Sequence, residues 1–302
     1  MTEFELAWSE RSLGDRADRV RALLDAAAAA DGVAPVSEQA VLGLRRESTA
    51  RHLLALTGDT VAGYANLTPG HGEHPAMAEA AVAPQYRGRG LGREVVSAAL
   101  AAGGPGARIW AHGKLPAAQA VADRLGLVVA RELWQMRRPL ATPELPDVEV
   151  PDGVVLRTYA GPADDAELLR VNNSAFDWHP EQGGWTGDEL AQRRAEDWFD
   201  PAGLFLAVDA EQPERLLGFH WTKVHRDENP PAGEVYVVGI DPAAQGRGLG
   251  RLLTLVGLRH LRDAGLGEVL LYTEADNTAA VRTYRGLGFE PAHIDIAYSL
   301  PG

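Results

Sequence analysis

The chain carries one twelve-residue phrase twice. Residues 82–93 read VAPQYRGRGLGR and residues 240–251 read IDPAAQGRGLGR, identical at seven of twelve positions without a gap, 158 residues apart. A second echo follows each phrase: RLGL at 124–127 and GLGF at 286–289, now 162 residues apart. Two matches in the same order, a domain's length apart, indicate two copies of one domain. The total of 302 residues agrees with two domains of ordinary size.

The boundary falls in PLATPELPDVEVPDG, residues 139–153, where Pro139, Pro143, Pro146 and Pro151 stop helix and sheet alike. The expected division is a first domain over 1–140, a linker over 141–153 and a second domain over 154–302. In the second copy, strands are expected at 154–159, 204–209, 216–224, 234–240, 269–273 and near 293–299. Helices are expected at 164–176, over 187–199, from Leu249 to near Gly265 and at 277–286. Strands alternating with helices at this spacing define an α/β domain with a mixed sheet. The alanine run Ala26–Ala30 continues the helical pattern of Val20, Leu23 and Leu24 and reads as a surface helix of the first copy.

Composition narrows the function. Lys and Arg number 29 against 42 Asp and Glu, a formal charge of −13. Such acidity repels phosphate polymers and anionic lipid, which argues against nucleic acid or membrane as partner. With no cysteine, disulfides, thiolate metal sites and cysteine nucleophiles are excluded. MTEFELAWSERS has neither the basic nor the apolar part of a signal peptide, and no apolar run reaches the roughly 18 residues that span a bilayer. The expectation is a cytoplasmic, monomeric protein without a metal. His71 and His74 form the one close histidine pair, in a Pro/Gly loop with no third ligand nearby.

Both glycine phrases sit where a strand runs into a helix. Glycines let successive backbone N–H groups turn toward one point, and the helix adds its positive end, a combination that binds phosphate. A P-loop needs Lys-Ser/Thr after the glycines, and Arg251-Leu252 is neither. A dinucleotide fingerprint needs G-x-G-x-x-G, and these read G-x-G-x-G. The pattern Q/R-x-x-G-x-G is instead the acyl-CoA signature of the Gcn5-related N-acetyltransferases, and both loops resemble it without departure. The resemblance implies two tandem domains, each a mixed, mostly antiparallel sheet flanked by helices. It also implies that the strand before each loop splays and pairs its backbone with the pantetheine arm of CoA.

The same resemblance covers Asn277-Thr-Ala-Ala-Val-Arg-Thr-Tyr284, where Tyr284 is expected to protonate the leaving thiolate. Acetyl transfer also needs a neutral amine. Glu234 opens the strand before the second loop, and alternation puts it on one face with Tyr236, Val238 and Ile240; it is the expected base or ammonium partner. At the offsets above, Glu234 corresponds to Ala76, Tyr284 to Ala122 and Asn277 to Leu115. The first copy thus keeps the cradle and lacks the chemistry; its expected role is structural or regulatory CoA binding plus one wall of the substrate cleft.

Tandem copies with one competent half resemble the mycothiol synthase family of actinobacteria. The most specific segments are Ala175-Phe-Asp-Trp-His-Pro-Glu-Gln-Gly-Gly-Trp185 and Leu271-Tyr-Thr-Glu-Ala-Asp-Asn-Thr-Ala-Ala-Val-Arg-Thr-Tyr284. That family acetylates the cysteinyl amine of 1-D-myo-inositol 2-(L-cysteinylamino)-2-deoxy-α-D-glucopyranoside. The resemblance implies substrate contacts by Glu38, Glu181, Lys223, Glu234 and Tyr272. It assigns acetyl-CoA to Val238, Gly239 and Ile240, to Gln245, Gly246, Arg247, Gly248, Leu249, Gly250 and Arg251, and to Asn277, Thr278, Ala279, Ala280, Val281 and Arg282. A second CoA is implied over Ala80, Ala81 and Val82 and over Arg87, Gly88, Arg89, Gly90, Leu91 and Gly92. Trp178 and Trp185 are candidates to cover sugar faces, or core residues, and His179 to orient the loop around it. Two alternatives stay open: an acetyltransferase acting on a protein N-terminus or another small amine, and a non-catalytic acyl-CoA sensor.

Overall fold

Apolar residues at strand and helix spacing give the second copy most of its expected succession of elements, and the first copy a similar one. The structure is a computed structural model and describes residues 4–9, 13–14, 16–44, 49–71, 74–177, 182–226 and 229–302. Two compact units result, one of Met1–Leu133 with His293–Gly302, the other of Trp134–Ala292.

The first unit contains strands β1 (Glu5–Ser9), β2 (Arg51–Thr57), β3 (Thr60–Thr68), β4 (Met77–Val82) and β5 (Arg108–Ala111). Its helices are α1 (Arg16–Asp31), α2 (Glu38–Gly43), α3 (Leu91–Gly103) and α4 (Pro116–Leu125). The β1-to-β4 pairings are antiparallel, and β4 runs parallel to β5. Strand β6 (Val128–Pro139) begins in this unit and ends in the second. Val95, Ala99 and Leu100 of α3 pack on one sheet face with Leu53, Ala65 and Ile109. Val20, Leu23 and Leu24 of α1 pack on the other with Leu54 and Tyr64. The alanine run accordingly lies within α1, with Ala27 buried.

The second unit contains β7 (Val154–Thr158), β8 (Leu204–Asp209), β9 (Leu216–His225), β10 (Ala232–Ile240) and β11 (Glu268–Glu274). Its helices are α5 (Asp165–Ala175), α6 (Gly187–Arg194), α7 (Leu249–Asp263) and α8 (Thr278–Arg285). Strands β7 to β10 pair antiparallel, and β10 pairs parallel with β11. Leucines 255, 258 and 261 of α7 cover one face with Val235 and Val269. On the other, Trp185, Trp221, Phe219 and Leu190 form an aromatic core. The expected helix over 187–199 ends at Arg194; its start is fixed by a capping box between Thr186 and Glu189.

The last strand changes place. Strand β12 (Glu290–Ser299) was expected to close the second copy, yet its later half pairs antiparallel with β5, Ile296 opposite Ala111 and Ser299 opposite Arg108. Ile296 and Tyr298 are buried in the first unit's core. In the second unit the later half of β6 lies by β11: Gln135 Nε2 donates to Tyr272 Oη at 2.7 Å, and Arg137 bridges to Glu268 at 2.6 Å. The proline-rich stretch after it is laid over the second unit, with Leu140 and Leu145 buried there.

Candidate active site

The site is built on β10. Its register with β9 slips between Val235 and Val237, so that Tyr236 is an extra residue. This bulge reverses the alternation. Val235 and Val238, three residues apart, both pack toward α7, whereas Tyr236 and Val237 pack with the aromatic core. Glu234 therefore shares a face with Tyr236 and not, as alternation predicts, with Val238 and Ile240.

Glu234 lies opposite Lys223 on β9 and is nearly buried, at 8% exposure. His225, two residues beyond Lys223 on the same face, sets its Nε2 at 2.6 Å from Glu234 Oε2. The Lys223 ammonium stands 5.0 Å from the ring centre of Trp198 and 5.7 Å from that of Tyr236, a geometry that holds a cation against aromatic faces. On β11, Leu270 is the register partner of Glu234, and Tyr272, half exposed, comes two residues later on that face. Glu234, Lys223 and Tyr272 are thus brought to one side of the sheet.

Parallel pairing of β10 and β11 covers Gly233–Val269 and Glu234–Leu270 and goes no further. Past Glu234 the strands part, leaving the backbone of Val238–Ile240 open on that side, as the resemblance implies. The loop that follows carries Gly246 at φ +78° and Gly248 at φ +77°, left-handed values that glycine adopts freely. No side chain crowds either position, so glycine is needed here for backbone direction. The N–H groups of Gly246 through Arg251 have no backbone partner among the described residues. Such a row of free donors at a helix start is matched to a pyrophosphate.

Tyr284 sits on the opposite sheet face, on α8, edge-to-face with Phe289 at 5.8 Å between ring centres. Burial pushes its phenol up to about 12. The acid and the phenol consequently flank the opening between β10 and β11 from its two sides. Asn277 caps α8, its side chain accepting from the Ala280 N–H at 3.2 Å. Trp185 is a core residue, buried against Trp221 and covered by the Arg193 guanidinium at 4.0 Å. Trp178, His179 and Glu181 lie outside the described residues. Glu38 stands exposed on the first turn of α2 in the first unit.

Sequence reasoning missed His225, Trp198 and Tyr236 as site residues. Only the even spacing Lys223–His225 on a half-buried strand pointed to His225, and nothing local marks Trp198.

The first unit repeats the cradle, with Gly88 at φ +74° and Gly90 at φ +88°. Its β4–β5 pairing, Met77 to Arg108, matches Glu234 to Leu270. Because β4 lacks the bulge, the structural counterpart of Glu234 is Met77 and not Ala76, still a residue without a charge. Its own carboxylate, Glu79, is committed elsewhere: it accepts from Ser37 N–H and Oγ and meets His112 Nε2 at 2.9 Å. His112 Nδ1 meets Asp295 at 3.2 Å. Burial alone would lower His112, but its bonds to Asp295 and Glu79 prevail and raise it to about 9. Arg87 is likewise tied to both oxygens of Asp31.

Parallel strands that part ahead of a glycine cradle, once in each unit, define an acyl-CoA-dependent N-acetyltransferase in tandem form. The chain matches the Acetyltransferase (GNAT) family over residues 19–127 and again over 172–289. It is 72% identical over its whole length to the mycothiol acetyltransferase of Nocardia farcinica, covering all of that protein. With those of Rhodococcus jostii and Mycolicibacterium smegmatis it shares 60% and 59%, over 97% of this chain and 97% and 98% of theirs. Among solved structures it resembles in fold a GCN5-related N-acetyltransferase from Sphaerobacter thermophilus, TM-score 0.70, 21% identity, covering 97% of this chain and 94% of that one. A tandem GNAT protein of the clavulanic acid pathway has TM-score 0.65, 20% identity, and coverage of 97% and 98%. The chain belongs to the mycothiol acetyltransferases, a tandem branch of the GNAT family.

Proposed function

We propose that the second unit transfers acetyl from acetyl-CoA to the cysteinyl amine of 1-D-myo-inositol 2-(L-cysteinylamino)-2-deoxy-α-D-glucopyranoside, giving mycothiol and CoA, while the first unit holds a second CoA without catalysing transfer. The observation that carries this reading is the nearly buried Glu234 at the mouth of the β10–β11 opening, where the first unit has Met77. Acetyl-CoA supplies the activated acetyl group. The chain supplies position and proton movement.

Gly246–Arg251 present their amide donors to the pyrophosphate, and the start of α8, Asn277–Arg282, lies at the far wall. Val238 to Ile240 offer main-chain groups to the pantetheine arm as a neighbouring strand would. Glu234 takes a proton from the substrate ammonium, whose pKa near 8 asks only for a modest base. His225 keeps one carboxylate oxygen occupied and leaves the other toward the amine. The neutral phenol of Tyr284 donates a proton to the departing thiolate. Lys223, Tyr272 and Glu181 hydrogen-bond the hydroxyls of the pseudo-disaccharide.

The test compares CoA release with the cysteinyl sugar and with a panel of peptide and small-molecule amines. Turnover confined to the sugar is the expected result. Equal or faster turnover on a peptide amine rejects the proposed acceptor.

A further inference from the structure

The two units differ where the sulfur-bound end of a CoA would lie. At the offset of 162 that joins Arg108 to Leu270, Tyr284 corresponds to Ala122 and Phe289 to Leu127. In the second unit those two rings pack edge to face and fill the space between α8 and the sheet. In the first unit Ala122 and Leu127 instead line a cavity of about 440 Å³, which starts at Gly88 and Gly90 and passes Ala80, Val82 and Ile109. Two rings have been exchanged for a methyl and an isobutyl group, and the volume has been left open.

The walls say what belongs there. Ala122 and Ile109 are buried and apolar. His112 also lines the cavity, but both its ring nitrogens are taken, by Glu79 and Asp295, so it offers no donor. The Glu79–His112 bond further ties β4 to the end of β5 just past their last paired residues, Glu79 and Trp110. In the second unit Val237 and Glu274 hold the corresponding places. A clasp thus closes the face from which an acceptor amine would approach, and the hollow at Ala122 and Leu127 is the room that remains.

We propose that the first unit retains a CoA thioester whose acyl chain is longer than acetyl, seated in the hollow at Ala122 and Leu127 and shielded from transfer. This rests on the reading of the first unit as a CoA holder. A short saturated acyl chain suits the apolar stretch of wall that Ala122, Leu127 and Ile109 present, and each further methylene taken out of water adds about fourfold in affinity.

The full chain carrying Gly248→Val, which strains the second cradle, is titrated calorimetrically with CoA, acetyl-CoA and butyryl-CoA. Butyryl-CoA is expected to bind about tenfold tighter than acetyl-CoA. Ala122→Phe, added to this background, is expected to remove that advantage while CoA itself binds within about threefold of its former affinity. Leu127→Phe is the second variant, should the first fail to fold. Butyryl-CoA binding no better than acetyl-CoA, or both ring-adding variants weakening CoA and butyryl-CoA alike, overturns the proposal alone. Absence of any CoA binding in the Gly248→Val chain overturns the underlying reading and the proposal with it.

Discussion

His225 Nε2 lies 2.6 Å from Glu234 Oε2, a bond between neighbouring strands that fixes the acid's carboxylate plane. Glu234→Gln removes the base and is expected to lower kcat on the order of 10²- to 10⁴-fold, with CoA affinity unchanged. His225→Leu leaves the base but frees its orientation, and a displacement of about 1 Å costs up to about 10²-fold. His225→Gln keeps a donor and recovers part of the loss. Steady-state kinetics of the three variants decide; a His225→Leu enzyme with unaltered kcat shows that Glu234 is held without it.

Tyr284 keeps its proton over the whole working range, because burial has pushed the phenol up to about 12. It can therefore serve as an acid at neutral pH, and the kcat profile is expected to show no falling limb from this group below pH 10. Tyr284→Phe lowers kcat about 10²-fold at all pH values in that range. A limb near pH 9 that disappears in Tyr284→Phe contradicts the assignment.

His220 is fully buried under α7, with Nδ1 at 2.8 Å from the Leu253 carbonyl oxygen. Burial lowers it from 6.5 to about 4. The ring is neutral in the folded chain and protonatable in the unfolded one, so its contribution is complete above pH 6.5 and lost as pH falls through about 4. The loss amounts to about 3 kcal/mol, and denaturant melts at pH 7 and pH 4 on wild type and His220→Gln measure it. A methyl group at Gly257 would collide with the same ring. Gly257→Ala is accordingly expected to destabilise by about 3 kcal/mol.

His112 has the opposite sign. Raised to about 9 by Asp295 and Glu79, it stabilises the first unit fully below pH 6.5, and that contribution is lost as pH rises through about 9. Because Asp295 lies on β12, the amides of Ile296–Ser299 are expected to exchange faster above pH 9, and in His112→Ala at pH 7. Exchange unchanged in both tests rejects the link.

The duplication, both cradles, the succession of strands and helices and the pairing of Glu234 with an apolar counterpart were legible in the residues. Repeats and glycine loops are local signals. The bulge at Tyr236 was not, because it appears only when β10 is laid against β9; it moved the counterpart from Ala76 to Met77 and turned Val238 to the other face. The partner of β12 was not legible either. An alternating strand states which of its faces is buried, not which sheet edge receives it. Trp198 entered the site from a loop by packing alone.

The placing of β12 against β5 inverts the order in which the two halves reach completion. The second unit is one unbroken stretch, Trp134–Ala292, and has all its residues before His293 is added. The half that is synthesised first waits for residues 293–299, which follow the whole of the second unit, before its sheet can be finished. Until then β5 offers an unsatisfied edge, and the first unit is the last to mature.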